Sequence, residues 1–329
     1  MGAERATLAA GRPLRTQDSA LSTGSGPWVG AWRRLARNRA ALCALVLITA
    51  LTLLALLADV LAPYPFAYQD TSIARQGPST AHWLGTDELG RDMLSRLMHG
   101  ARISLAVGIV AQALILIIGV PVGAAAGYFG RWVDALLSRF IDVMYSFPDL
   151  LLIIVVMSSL RAMLKSESGG VVALLAGLDS AFGGLLGVFL SLALISWLTV
   201  ARLVRGQVLS LKEKEFVEAA RAAGAPSGRI LLRHLLPNTL AVVVVAATFG
   251  IPRAIVIEAA LSFIGLGVQP PATSWGAMIL SGANAGRAGV PHMILGPAVA
   301  LASTVLAFNF LGDGLRDALD PRMRPASGR

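Results

Sequence analysis

Six apolar runs, each long enough to cross a bilayer, constrain this chain more than any other feature. They fall at roughly 40–61, 103–126, 140–164, 183–204, 239–266 and 291–311. A helix needs about 20 apolar residues to span ~30 Å of hydrocarbon. Lipid offers no partner for backbone N–H and C=O groups, so each run must satisfy its own by folding as a helix. With 55% hydrophobic residues, 14% charged residues and a mean hydropathy of +0.69, a soluble domain is excluded. The expected fold is all-α, a polytopic membrane protein with six transmembrane helices. The first run exceeds the apolar core of a signal peptide and is expected to remain as a helix.

Six crossings place both ends on one side, and basic residues decide which side. The chain carries a net charge of +9 and a pI near 10.7. Arg5, Arg12, Arg15, Arg33, Arg34, Arg37 and Arg39 precede the first run; Arg202, Arg205, Lys212, Lys214, Arg221, Arg229 and Arg233 surround the segment 212–238. The stretch 267–290 has only Arg287. The positive-inside rule then places both termini and segment 212–238 in the cytoplasm, which accounts for the high pI without a nucleic-acid partner. Residues 1–39 read as a disordered cytoplasmic tail, 40–320 as the membrane domain and 321–329 as a short cytoplasmic tail. The single cysteine, Cys43, excludes an intrachain disulfide.

Segment 212–238, KEKEFVEAARAAGAPSGRILLRHLLPN, is too charged for lipid. Phe216, Ala219, Ala220 and Ala223 recur at helical spacing opposite Lys214, Glu218 and Arg221, and Lys214 is placed to pair with Glu218 one turn on. Gly224 suits the left-handed residue that closes a helix, and Pro226 prevents its continuation. A second short helix from Gly228 to Leu236 then leads to Pro237, giving an L-shaped elbow suited to docking. A solvated amphipathic loop helix fits the same pattern.

Within the spans, Gly119, Gly123 and Gly127 repeat every four residues, and Gly183, Gly187 and Ser191 repeat the device. Small residues at this spacing let helices approach closely, either inside the subunit or against a partner. Arg253 and Glu258 lie in the fifth run, where a charge costs roughly 2.5–3.5 kcal/mol, so neither is expected to face lipid. Five residues separate them, which turns them to different faces, and Pro252 permits a kink that gives Arg253 room toward a central cavity. Both are candidates for a solute pathway. Asp87, Glu88, Arg91, Asp92 and Arg96 mix both signs at helical spacing, as in an interfacial stretch that pairs internally in a structural role.

Catalytic patterns are missing. Lys165-Ser166 follows Leu164 rather than the glycine of a phosphate-binding loop; the four histidines form no metal-binding pair, and no nucleophile elbow occurs. Neither an enzyme nor a cofactor or metal is expected. An ion-coupled secondary transporter is the competing class, and it would carry discontinuous helices and coupling carboxylates at the membrane midplane.

Several segments resemble the bacterial ABC importer permeases of the dipeptide, oligopeptide and nickel family, C-type subunit. Glu218-Ala219-Ala220, Gly224 and His234-Leu235-Leu236-Pro237 are similar to the family's EAA loop, which docks on the ATPase subunit; histidine at 234 resembles the peptide branch. Trp83 to Arg96 matches the LGTDxxGRDxxSR segment, and Asp142 to Asp149 (DVMYSFPD) resembles the third-helix motif. Glu258 to Gly267 with Gln269-Pro270-Pro271 and Trp275-Gly276, and Phe308 to Pro321, extend the similarity over about residues 40–325. The family typically has an acidic residue at position 258 but a small one at 253. The resemblance implies transport of peptides or a related solute, with peptide, nickel chelate and oligosaccharide all open, across the inner membrane by alternating access, a sibling permease, two ATP-binding subunits, an external solute-binding protein, and coupling through Glu218, Ala219, Ala220, Gly224 and Pro237.

Overall fold

Every apolar run folds as helix, but the ends and one of the interiors differ from what hydropathy implies. A computed structural model describes residues 27–165, 169–285 and 290–320. The helices are α1 (Pro27–Leu35), α2 (Arg39–Leu56), α3 (Met93–Phe129), α4 (Arg131–Tyr145), α5 (Asp149–Lys165), α6 (Val171–Ala181), α7 (Leu186–Leu211), α8 (Glu215–Ala222), α9 (Ser227–Phe263), α10 (Trp275–Ala285) and α11 (His292–Leu319). Five of them, α2, α3, α7, α9 and α11, are long and apolar enough to cross a membrane; α4 and α5 meet the same condition only together, as a pair bent by 91°. Among the described residues the only β feature is an isolated bridge between Thr86 and Asp92.

The expected continuous helix over 140–164 is therefore corrected. Residues 140–145 end α4, and α5 starts at Asp149 after Ser146-Phe147-Pro148. Pro148 has no N–H to donate back and disfavours helical geometry at Phe147, while Asp149 adds a favourable charge to the first turn of α5. A hydropathy window averages across that proline.

Three further expectations need correction. The disordered tail to residue 39 is shortened, because α1 packs on α11: Ala31 and Leu35 are buried with Ala41 and Ala318, and Arg34 Nε donates to the Ala318 carbonyl at 2.7 Å. Apolar Ala31 and Leu35, one turn apart, supply the face, and its polar flanks hid it. The tails at 1–26 and 321–329 lie outside the described residues. The short helix 228–236 does not stop before Pro237; it forms the opening turns of α9. A π-helical stretch, Ile230–Leu235, widens the turn there, Leu236 N donates to Leu231 O, and Asn238 Nδ2 donates to His234 O at 2.6 Å. The wider turn relieves the clash that Pro237 would bring to a regular α-helix. Finally, Gly183 lies before α7 at φ +65° with no atom near its missing side chain, so only Gly187 and Ser191 serve packing, both against Met157 of α5.

The glycine ladder of α3 is an intrachain device. A Cβ on Gly119 would meet Trp197 O at 2.9 Å and Val200; on Gly123, Ala201 O at 2.3 Å; on Gly127, Arg205 O at 2.8 Å and Val208. The two backbones thus lie together over rather more than two turns, and Val200, Val204 and Val208 fill the seam. On its other side α3 meets α9, where Gly108 sits against Ile251 and Ile255.

At the end away from the elbow, residues 62–92 form a cap with 264–285 and 290–291. The sequence implied helical spacing for the charges at 87–96; the structure shows a turn closed by the Thr86–Asp92 bridge, with α3 starting at Met93. Asp87, 2% exposed, accepts from Leu89 N at 2.9 Å, Arg91 N at 3.0 Å and Arg91 Nε at 2.7 Å, and pairs with Arg96 Nη1 at 3.3 Å. Arg96 Nη2 donates to Thr273 Oγ1 at 3.0 Å, which ties this turn to the segment before α10. Asp92 caps α3 through Ser95 N at 2.8 Å and also holds His82 Nδ1 at 2.9 Å. Internal pairing of these charges is thus as expected, on a turn rather than a helix. Helix α10 lies between the fifth and sixth apolar runs, in the stretch poor in basic residues, with Trp275 1% exposed and its Nε1 donating to Leu97 O at 3.1 Å.

Candidate functional site

Two places bring the sequence-derived candidates together: the elbow at α8–α9 and the bend between α4 and α5.

In the elbow, Lys214 precedes α8, whose first turn carries Glu215 and Glu218. Val217 is fully buried and packs with Ile230, Leu235 and the partly buried Ala220. That face fixes α8 to the start of α9. Gly224 closes α8 at φ +75°, with Ala225 N donating to Ala220 O at 3.0 Å and Gly224 N to Arg221 O at 2.9 Å, the αL closure that glycine adopts without strain. Phe216, Glu218, Ala219, Ala223, Gly224 and Pro237 are exposed. The apolar stripe read from the sequence is therefore mostly outward-facing, while Val217 and Ala220 do the packing. Lys214 and Glu218 form no ion pair among the described residues.

The bend sits beside the middle of α7 and α9. Arg253 lies about 15 Å along α9 from Phe263 at 1.5 Å per residue. Its Nη2 donates to Asp149 Oδ2 at 2.6 Å, across 104 residues of sequence. One α4 turn away, Arg202 pairs with Asp142 at 3.1 Å and lies 4.3 Å over the Tyr145 ring, and Tyr145 Oη hydrogen-bonds Thr199 Oγ1 at 2.8 Å. Nearer the elbow Arg205 forks onto both oxygens of Asp134, the second at 2.8 Å. Arg253 also borders a cavity of about 230 Å³ between α3, α7 and α9, with Gln112, Ser196, Thr199, Phe249 and Ile257 on its walls. Gln112 was not singled out from sequence, and Asp149 was named only as the last residue of the segment resembling the third-helix motif, with no role; an acidic residue directly after the proline of an apolar run was the available signal for one.

Glu258, the second pathway candidate, is elsewhere. It is 0% exposed, and its Oε1 accepts from Ser262 Oγ at 2.6 Å and Ser274 Oγ at 2.7 Å. Arg253 and Glu258 do not pair, as their spacing implied, and Glu258 joins α9 to the start of α10 rather than to the cavity. No group of His, Cys, Asp or Glu among the described residues is arranged to hold a metal ion.

The comparisons agree with this fold. The model of the binding-protein-dependent transport system inner membrane component matches residues 119–325, and the N-terminal transmembrane domain of oligopeptide transport permease C matches residues 26–78. A dipeptide transport system permease of Alkalihalophilus pseudofirmus is 41% identical over 302 residues, 92% of each chain. A glutathione transport system permease of Escherichia coli O157:H7 is 42% identical over 299 residues, 91% of each chain. Among solved structures, the inward-facing MetNI methionine ABC transporter aligns at a TM-score of 0.52 and 23% identity, over 69% of this chain and 98% of that one, a likeness of fold. By sequence match and architecture together, the chain belongs to the inner-membrane permeases of binding-protein-dependent ABC importers, in the oligopeptide-type permease C branch.

Proposed function

We propose that this chain is one transmembrane subunit of an ATP-driven peptide importer, working with a sibling permease, two ATP-binding subunits and an external solute-binding protein. The relatives named above are permeases for a dipeptide and for glutathione, which supports a short peptide as solute. The observation that carries the coupling role is the elbow: α8 is fastened to α9 through Val217, yet presents Glu218, Ala219 and Gly224 outward. A short helix fixed on one face and free on the other transmits a push to the long helix it is fixed to. Since α9 also carries Arg253 beside the cavity, motion at the elbow reaches the pathway through one continuous element. ATP then acts through its unequal affinity for inward-open and outward-open arrangements, with hydrolysis in the partner subunits. In this reading the elbow and both termini lie in the cytoplasm.

Uptake of labelled dialanine and glutathione into proteoliposomes bearing the purified complex, with the binding protein supplied, tests the reading. Uptake that needs ATP and persists with ionophores present is the expected result. Uptake that follows an ion gradient without ATP would instead establish the secondary transporter.

A further inference from the structure

The break between α4 and α5 lies beside Thr199 of α7 and Arg253 of α9, both interior to helices long and apolar enough to cross a membrane. Non-helical backbone survives at membrane depth only where protein buries it or it lines a water-filled cavity, and charged side chains there face such a cavity or one another. Both conditions meet at Asp149, the first residue of α5. Its side chain is 39% exposed and that of Arg253 49% exposed, so the pair is not sealed in the protein. The bond between them uses one guanidinium nitrogen of a group with five N–H donors, short of the two-pronged contact that makes arginine–carboxylate pairs strong.

The wall of the cavity beside the pair also carries a buried donor without a partner. Gln112 is 4% exposed and lines the same walls, but its Nε2 has no hydrogen-bond partner among the described residues. Buried amides are ordinarily satisfied, so an acceptor is missing here. Its Oε1 is held close to the backbone of Gly250, where an added Cβ would come within 2.0 Å of it. Unused donors on Gln112 and Arg253 thus border one space.

We propose that Arg253 reads the carboxylate of the passing solute: its guanidinium exchanges Asp149 for that carboxylate, with Gln112 as an additional donor, and returns to Asp149 once the solute has left. The proposal rests on the transport reading above and narrows it to solutes with a free carboxylate, such as the C-terminal end of a short peptide. Asp149 keeps the guanidinium paired between solutes and competes with the solute for it.

The test compares two substitutions in the assembled complex, in proteoliposomes with the unchanged binding protein, on labelled dialanine and glutathione. Keeping the binding protein constant assigns any difference to the permease. Arg253→Ala is expected to lower uptake about tenfold or more, the scale of a lost charge-assisted hydrogen bond, and Arg253→Lys to keep part of it. Asp149→Asn is expected to do the opposite and lower KM, because it removes the competitor. Equal losses from Arg253→Ala and Asp149→Asn, with recovery in the charge-swapped Arg253→Asp/Asp149→Arg pair, would overturn the proposal in favour of a structural ion pair. Should Arg253→Ala not assemble, Arg253→Lys against Asp149→Asn gives the same contrast. If the wild-type complex moves neither peptide with ATP, the transport reading fails and this proposal with it; ATP-driven uptake that ignores both substitutions removes this proposal alone.

Discussion

Gly123 and Ala201 meet backbone to backbone: a Cβ on Gly123 would lie 2.3 Å from the Ala201 carbonyl oxygen. Neither helix can yield without opening the seam that also holds Gly119 and Gly127. Gly123→Ala is therefore expected to destabilise the subunit by about 1–3 kcal/mol, the usual scale of overpacking. Gly206 on the same α7 has no atom within 4 Å of its missing side chain, and Gly206→Ala should leave stability at or above wild type. Thermal survival of detergent-solubilised protein on size-exclusion chromatography checks both; equal stability of the two variants would contradict the seam.

Gly224 and Glu218 test the elbow. Nothing crowds Gly224, so Gly224→Asp acts through its φ of +75° and the added charge, at a local cost of about 1 kcal/mol. Membrane insertion is expected to survive while solute-stimulated ATP hydrolysis by the complex falls. Glu218→Lys reverses an exposed charge on the same surface and should behave alike. Normal coupled transport in both variants, with the complex intact, would remove the elbow as the coupling element.

Asp87 is predicted to matter far more than its neighbour Glu88. Replacing Asp87 by Ala strands the buried Arg96 and two backbone donors, a loss on the order of 3–5 kcal/mol for breaking a buried pair. Glu88 reaches Arg75 only at 3.9 Å on the surface, so Glu88→Ala should cost under about 1 kcal/mol. Limited proteolysis of segment 62–92 in the two variants reads the difference directly. Similar protection in both would show that the network does not hold the cap.

Glu258 is expected to tolerate loss of its charge but not of its acceptor. In Glu258→Gln the amide oxygen still receives Ser262 and Ser274, whereas Glu258→Leu leaves both buried hydroxyls without it, at roughly 1–3 kcal/mol. Expression and thermal survival of the two variants are the measurement. A Gln variant as damaged as the Leu variant would show that the negative charge itself is required.

Orientation is checked by reporters. One inserted between Gly224 and Pro226, or placed after residue 329, is expected to read cytoplasmic, and one at 286–289 external. An external signal from the elbow would end the docking reading.

The apolar runs were enough to read an all-α membrane domain, because lipid leaves an apolar run of that length no alternative to a helix, and the charged stretch between two of them marked where in the chain the elbow folds. Gly224 could be assigned from its neighbours, since the αL closure of a helix is a local property of the backbone. Even the failure of Arg253 and Glu258 to pair followed from helix geometry.

Tertiary contacts decided what local rules left open. Pro121, Pro252 and Pro297 lie inside continuous helices, while Pro148 breaks one, although each removes the same backbone donor. Around Pro148 the chain is held by Asp142 to Arg202 on one side and Asp149 to Arg253 on the other, partners 60 and 104 residues away. Those distant charges, not the proline alone, accompany the change of direction. The same holds for Val217, buried where Phe216 and Ala219 had the better-looking pattern: periodicity marks which residues share a face, but only the packing of α8 on α9 selects the face that is covered.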